Sequence, residues 1–269
     1  MTPTSGRALA TRLRITFLDN AIEELEREAQ AQLATAPGDP IAQAYLARAL
    51  YKEGRFQEAR RILVDADPED VEVLTARGDF HDYVGEAREA ELAFQAALER
   101  EPRHVDALLG LAAVHLTRNE ANQADALAAK ASGLVDADDA CQRGRLRVLQ
   151  GGVAGLRAAR GGFFDKLRWG PGVLHAFEQA RALCPNSPYP RFALGRFYRE
   201  APGALGGSWA RAAAEFRAAE ELDPYYHPAL LALVEALEAC GEANEARAER
   251  EAYRQRFRDL PAAMAIIPG

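Results

Sequence analysis

The sequence is poor in sulfur and in indole, with three cysteines, two methionines and two tryptophans in 269 residues. Cys141, Cys184 and Cys240 are odd in number, far apart and without a CxxC pair, so they predict buried thiols in a reducing compartment rather than a disulfide framework. No window approaches the roughly 18 consecutive apolar residues of a membrane span. The start, MTPTSGRALATRLRITFLDN, has arginines but no apolar run of signal-peptide length, and the expected location is cytoplasmic. Positive charge is short as well. The formal net charge of −7 disfavours general nucleic-acid binding, and no G-x₄-G-K-[ST] segment is present to form a nucleotide P-loop. β-branched residues are few, whereas alanine, leucine, arginine and glutamate dominate, as in a helical chain.

What is present is a recurrence, clearest in residues 191–224. Leu194-Gly195 is followed three residues later by Tyr198, then by Ala212, Phe216 and Ala219, and finally by Asp223-Pro224. Each type has a packing reason: Gly195 and Ala212 let two antiparallel helices approach, Leu194, Tyr198 and Phe216 fill the seam, and Pro224 stops the second helix. Copies recur in phase. Pro68 to Pro102, Ala90 to Ala124 and Ala212 to Ala246 are each 34 residues apart, with turn residues Gly54, Gly85, Asn119 and Gly241. Asparagine serves at 119 because it tolerates left-handed backbone.

This pattern resembles the tetratricopeptide (TPR) family, with Arg191 standing where a tryptophan is usual. The resemblance covers about 40–258 and implies an all-α, right-handed superhelical solenoid of antiparallel helix pairs, in which each pair buries its apolar face on its neighbours. The predicted organisation is a helical cap or half-repeat over 1–39, with Asp19 as an N-cap between two helices. Three repeats over 40–139 follow, then an irregular repeat over 140–187, two repeats over 188–258 and an apolar tail over 259–269. The irregular repeat carries an insertion at 151–172.

Charge is distributed unevenly. Residues 18–139 hold 26 acids against 12 bases, whereas 140–169 hold seven bases and only Asp165. The resemblance implies that ligands lie along the concave face lined by the first helix of each repeat. The positions on that face are Arg48, Tyr51 and Lys52, then Asp79 and Asp82, then Phe192, Arg196 and Arg199. Arg143 and Arg147 belong to the irregular repeat. Convergence of Arg143, Arg147, Arg196 and Arg199 on a carboxylate is expected from the planar fork of arginine, and it predicts a protein or peptide partner with acidic groups or a free carboxylate. The chaperone-type carboxylate clamp is not expected, since the corresponding places hold Arg48, Ala76 and Asp79. The insertion joins bases to aromatics, with Phe163, Phe164 and Trp169 as contacts for a docking arm or a lid.

His81 and His115, one period apart, read as packing residues, because no third ligand stands at metal spacing. The glycines at 203, 206 and 207 before Ser208 read as a lengthened turn. The sequence offers no cofactor motif, no metal set and no catalytic constellation, and the resemblance implies a non-catalytic scaffold that holds a partner's peptide segment or helix in its groove. Two alternatives are a sensor of a small anionic ligand or signalling peptide with 151–172 as a lid, and a self-assembling component that forms homo-oligomers.

Overall fold

The computed structural model describes residues 3–161 and 163–260, leaving out the side chains of 3–5, 7, 163 and 165–169. The described residues form a helical solenoid of seven consecutive hairpins. A cap of α1 (Pro3–Leu18) and α2 (Ile22–Thr35) precedes α3 (Pro40–Lys52) with α4 (Phe56–Asp65), α5 (Val71–Tyr83) with α6 (Ala87–Arg100), and α7 (Val105–Thr117) with α8 (Ala121–Ser132). Next come α9 (Ala140–Arg160) with α10 (Phe163–Leu183), α11 (Pro188–Glu200) with α12 (Trp209–Leu222), and α13 (His227–Ala239) with α14 (Ala243–Arg256). No strand occurs among the described residues, and no helix there is long and apolar enough to cross a membrane.

Local chemistry sets the boundaries. Asp39 and Asp70 each accept two backbone N–H bonds at the starts of α3 and α5, and Pro40 occupies a first-turn position where its missing N–H costs nothing. Gly54, Gly85, Asn119 and Gly241 all take positive φ between the helices of their hairpins, as their spacing predicts. Asp19 is not a cap. The N-cap position of α2 is Ala21, while Asn20 turns left-handed and donates its amide to the carbonyl of Leu222, 2.7 Å away. Within hairpins the small residues act by absence: a Cβ on Gly195 would lie 2.5 Å from the Phe216 ring.

The two ends of the array meet. Phe56 packs near Tyr225 and Phe257, with ring centroids 5.9 and 6.0 Å away, and one apolar cluster joins Leu50, Tyr51 and Tyr83 to Leu230, Tyr253 and Leu260. A Cβ on Gly54 would fall 2.2 Å from Tyr225. At the centre of this closure the buried carboxylate of Asp223 pairs with the buried Lys52 ammonium and accepts from Tyr83 Oη at 2.7 Å. Burial opposes the Lys52 charge, but Asp223, Tyr189 and Asp79 together outweigh it and the lysine pKa is raised.

Residues 151–172 lengthen both helices of one hairpin. α9 and α10 are 21 residues each, against 13 for α3 and 14 for α12. The start of α9 lies beside the end of α10 at the base of this hairpin, where Cys141 and Cys184 form a disulfide with Cα atoms 4.7 Å apart. The thiol expectation therefore fails for these two residues. Their 43-residue separation concealed an antiparallel pairing, and Cys240 alone is free. Residues 261–269 of the expected apolar tail lie outside the described residues.

Two outcomes follow for stability. Asp223→Ala leaves the Lys52 ammonium buried without its counter-ion and is expected to cost about 3–5 kcal/mol in urea unfolding, with the double change Lys52→Met/Asp223→Leu recovering part of it. Reducing the Cys141–Cys184 bond is expected to lower unfolding free energy by about 2–4 kcal/mol in denaturant titrations with and without reductant.

Candidate functional site

The first helices α3, α5, α7, α9, α11 and α13 carry the side chains that face the interior of the array. Much of that interior is occupied by internal pairs. Arg48, 2 % exposed, binds Asp79 through Nε at 2.9 Å and Nη2 at 2.8 Å, and its guanidinium lies 4.5 Å from the Tyr45 ring centroid. Burial acts against its charge, yet Asp79, Tyr45 and Glu72 prevail and raise its pKa. Asp106 is held by Arg145 at 3.0 Å. Burial pushes Asp106 up, but Arg145, His104, Arg14 and Arg48 together hold its pKa below the usual carboxylate value.

Arg48, Tyr51 and Lys52 are thus placed in the core rather than on a free groove wall. Helical register explains the difference: the positions facing inward also meet the opposite end of the closed array. Arg143 and Arg147 are exposed on α9, whereas Arg145 between them turns inward. Arg196 and Arg199 bind Glu200 at 3.4 and 3.0 Å, and Arg199 also reaches Glu235 at 2.8 Å. Phe164 is exposed on α10, and the side chains of Phe163 and Trp169 fall outside the described ones.

A cavity of about 250 Å³ lies where α7, α9, α10 and α11 converge. Leu116, Val148, Leu149, Leu156, Val173 and Phe177 supply apolar wall, and Gly152, Gly155 and Gly170 leave room beside them. The lengthened parts of α9 and α10 therefore build one side of this space. Of the residues singled out in the sequence, Asp82, Phe192 and Arg196 border it, while Tyr51, Asp79 and again Asp82 border a smaller cavity of about 90 Å³ deeper in the array. Tyr189 and Tyr226 line both spaces. Neither tyrosine was recognisable from its position in the repeat, since each stands at a helix start. Arg145 was recognisable in principle, because Leu146, Leu149 and Val153 mark the inward face of α9.

Asp82 differs from the other interior carboxylates. Asp79, Asp106 and Asp223 each have a cation within ion-pair distance, but no described residue donates a hydrogen bond to the Asp82 side chain or pairs with it. Burial, reinforced by Asp79 and only partly opposed by Arg145, pushes its pKa up to about 7.

The remaining candidates are structural. His81 Nδ1 meets Glu86 at 2.6 Å and His115 Nδ1 meets Glu120 at 2.5 Å, the same turn-bracing contact one repeat apart. Among the described residues no group of His, Cys, Asp and Glu is arranged to hold a metal. The glycine-rich segment forms a 3₁₀ turn at Gly203–Leu205, and Arg211 stacks 3.8 Å over the Tyr198 ring to brace it.

Comparison with known proteins agrees with this architecture. Residues 18–78 match the sequence profile of the tetratricopeptide repeat. Among solved structures, a chain of the APC/C hetero-tetramer Cut9–Hcn1 is 15% identical with a TM-score of 0.58, over 96% of this chain and 47% of that one. The present chain thus spans about half of that relative's length. A tetratricopeptide repeat protein from Parabacteroides merdae is 14% identical with a TM-score of 0.52, covering 97% of this chain and 99% of the other. A thermophilic TPR protein from Thermus thermophilus is 20% identical with a TM-score of 0.50, over 72% and 97%. At such identities the likeness is one of fold. No curated protein matches the sequence.

The Asp82 carboxyl gives a pH-dependent test. Its raised pKa means that the folded state holds a proton the unfolded chain releases, so its contribution falls as pH rises from about 4 through 7. Asp82→Asn is expected to raise the melting temperature by about 2–4 °C at pH 8 and by little at pH 5, read by paired thermal scans.

Proposed function

We propose that this chain, a tetratricopeptide-repeat protein, is a non-catalytic scaffold that holds a segment of a partner protein at the cavity between α7, α9, α10 and α11. The observation that carries the reading is the unfilled apolar space on the face of the first helices, where this architecture offers its binding surface. The axial residues Arg48 and Lys52 support it by contrast, since both are buried in internal ion pairs and have no charge to spare for a ligand.

The expectation of an acidic partner has less support. The described residues bordering the cavity offer two carboxylates, Asp82 and Glu200, against one guanidinium, Arg196, which Glu200 already binds. The same balance weighs against a small anionic ligand beneath a lid. The cytoplasmic assignment loses one of its supports with the Cys141–Cys184 disulfide, a bond that persists in oxidising compartments.

Selection of peptides from a displayed random library against the intact protein tests the reading. Binders are expected to lose about tenfold or more in affinity to Gly155→Leu, which fills the cavity, and to be unchanged by Arg143→Ala/Arg147→Ala on the exposed side of α9. Binders indifferent to Gly155→Leu would move the site elsewhere, and a library yielding none would count against the scaffold reading itself.

A further inference from the structure

We propose, building on that reading, that the bound segment anchors itself with a lysine side chain, its aliphatic stem along the cavity wall and its ammonium group at Asp82. Three independent features of the cavity converge on this chemistry. The first is the shape of its polarity. Leu116, Val148, Leu149 and Val173 give an apolar wall of the kind a four-methylene stem packs against, and of the two carboxylates that border the space Glu200 is bound by Arg196 and Arg199, which leaves Asp82 on α5.

The second is the state of that carboxylate. Asp79, Asp106 and Asp223 are neutralised by Arg48, Arg145 and Lys52, which leaves Asp82 as the interior acid with no partner among the described residues. Asp82 is half-buried and has no protein donor, so an incoming cation forms a charge-assisted hydrogen bond with it without displacing an internal partner. The third is aromatic. Tyr226 lies 5.3 Å from Tyr189 and 5.4 Å from Phe192 between ring centroids, both edge-on, and all three rings border the same cavity. Such a cluster presents π faces and edges to a guest, and an ammonium group is attracted to the faces.

An anionic guest would instead meet Asp82, and a purely apolar one would leave it unsatisfied. The proton balance follows from the surroundings. Asp79 stands beside Asp82 on α5, Arg145 approaches from α9, Tyr189 and Arg196 from α11, and Tyr226 from the start of α13. Burial and the neighbouring Asp79 push the Asp82 pKa up to about 7, and Arg145, committed to Asp106, opposes this only in part. The bound ammonium keeps it ionised, so binding releases a proton and weakens as pH falls below about 7.

The test uses n-hexylammonium, n-hexanol and hexanoate as probes of the intact protein, followed by amide chemical-shift titration. Hexylammonium is expected to shift residues around the cavity and to bind about tenfold more weakly at pH 5.5 than at pH 8. It should lose a similar factor in Asp82→Asn, whose fold is checked by its melting temperature, while hexanol is unaffected by that change. Hexanol or hexanoate binding as well as hexylammonium would overturn the cation site while leaving an apolar anchor pocket. In the second arm, peptides selected on the intact protein are resynthesised with norleucine for each lysine. Loss of binding at one lysine, absent in Asp82→Asn, is the expected result. Peptides indifferent to every such change, on a protein that still takes hexylammonium, would assign the site to a free amine and overturn the lysine anchor. Sensitivity to Gly155→Leu in those same peptides keeps the scaffold reading separate from this one.

Discussion

The structure depends on one buried carboxylate that belongs to two ends of the chain. Asp223 closes α12, where the repeat pattern places its terminal Asp-Pro, and it also receives Lys52 and Tyr83 from repeats at the far end of the sequence. An isolated ammonium or carboxylate in that position would carry a desolvation penalty of several kcal/mol. Each end is therefore stable in its observed place only if the other is present. The aromatic contacts of Phe56 with Tyr225 and Phe257 add apolar area around this pair, but the ion pair fixes the register in which the ends meet.

Closure changes what the interior can do. A trough would leave the inward charges of the first helices in water, available to a ligand. Here they are shielded, and shielding forces them into pairs: Arg48 with Asp79, Arg145 with Asp106, Lys52 with Asp223. The exception is informative because the rule is otherwise followed. Asp82 borders the space that the lengthened α9–α10 hairpin walls on one side, and it is the acid there that no described residue pairs.

The repeat skeleton was legible because its determinants are local. The 34-residue phase, the left-handed turns at Gly54, Gly85, Asn119 and Gly241, and the Gly195–Phe216 approach are each encoded within one or two hairpins. Closure was not legible. Lys52 and Asp223 are 171 residues apart, and nothing in a helical period specifies which end meets which. The disulfide was hidden for a related reason, since two extensions of similar length separate Cys141 and Cys184 in sequence while leaving them opposite each other at the base of the hairpin. On α9 the reading of Arg143 and Arg147 missed Arg145, because the three arginines alternate and the first helix of the irregular repeat lacked a Leu-Gly pair to set its register. Asp82 was found by repeat position, whereas Tyr189 and Tyr226, at helix starts, had no such marker.

Open solenoids grow and shrink by whole repeats, because each unit interacts only with its neighbours and a duplication simply lengthens the stack. The Asp223 closure removes that freedom. An extra hairpin anywhere between α5 and α12 would rotate and translate the C-terminal end away from Lys52 and Tyr83, and a lost hairpin would do the same in the opposite sense. Changes that keep this closure are thereby confined to routes that leave the hairpin count alone. One is substitution on the inward faces. Another is symmetric lengthening of a single hairpin, which adds residues at its tip while its base keeps step with the ring, as α9 and α10 do.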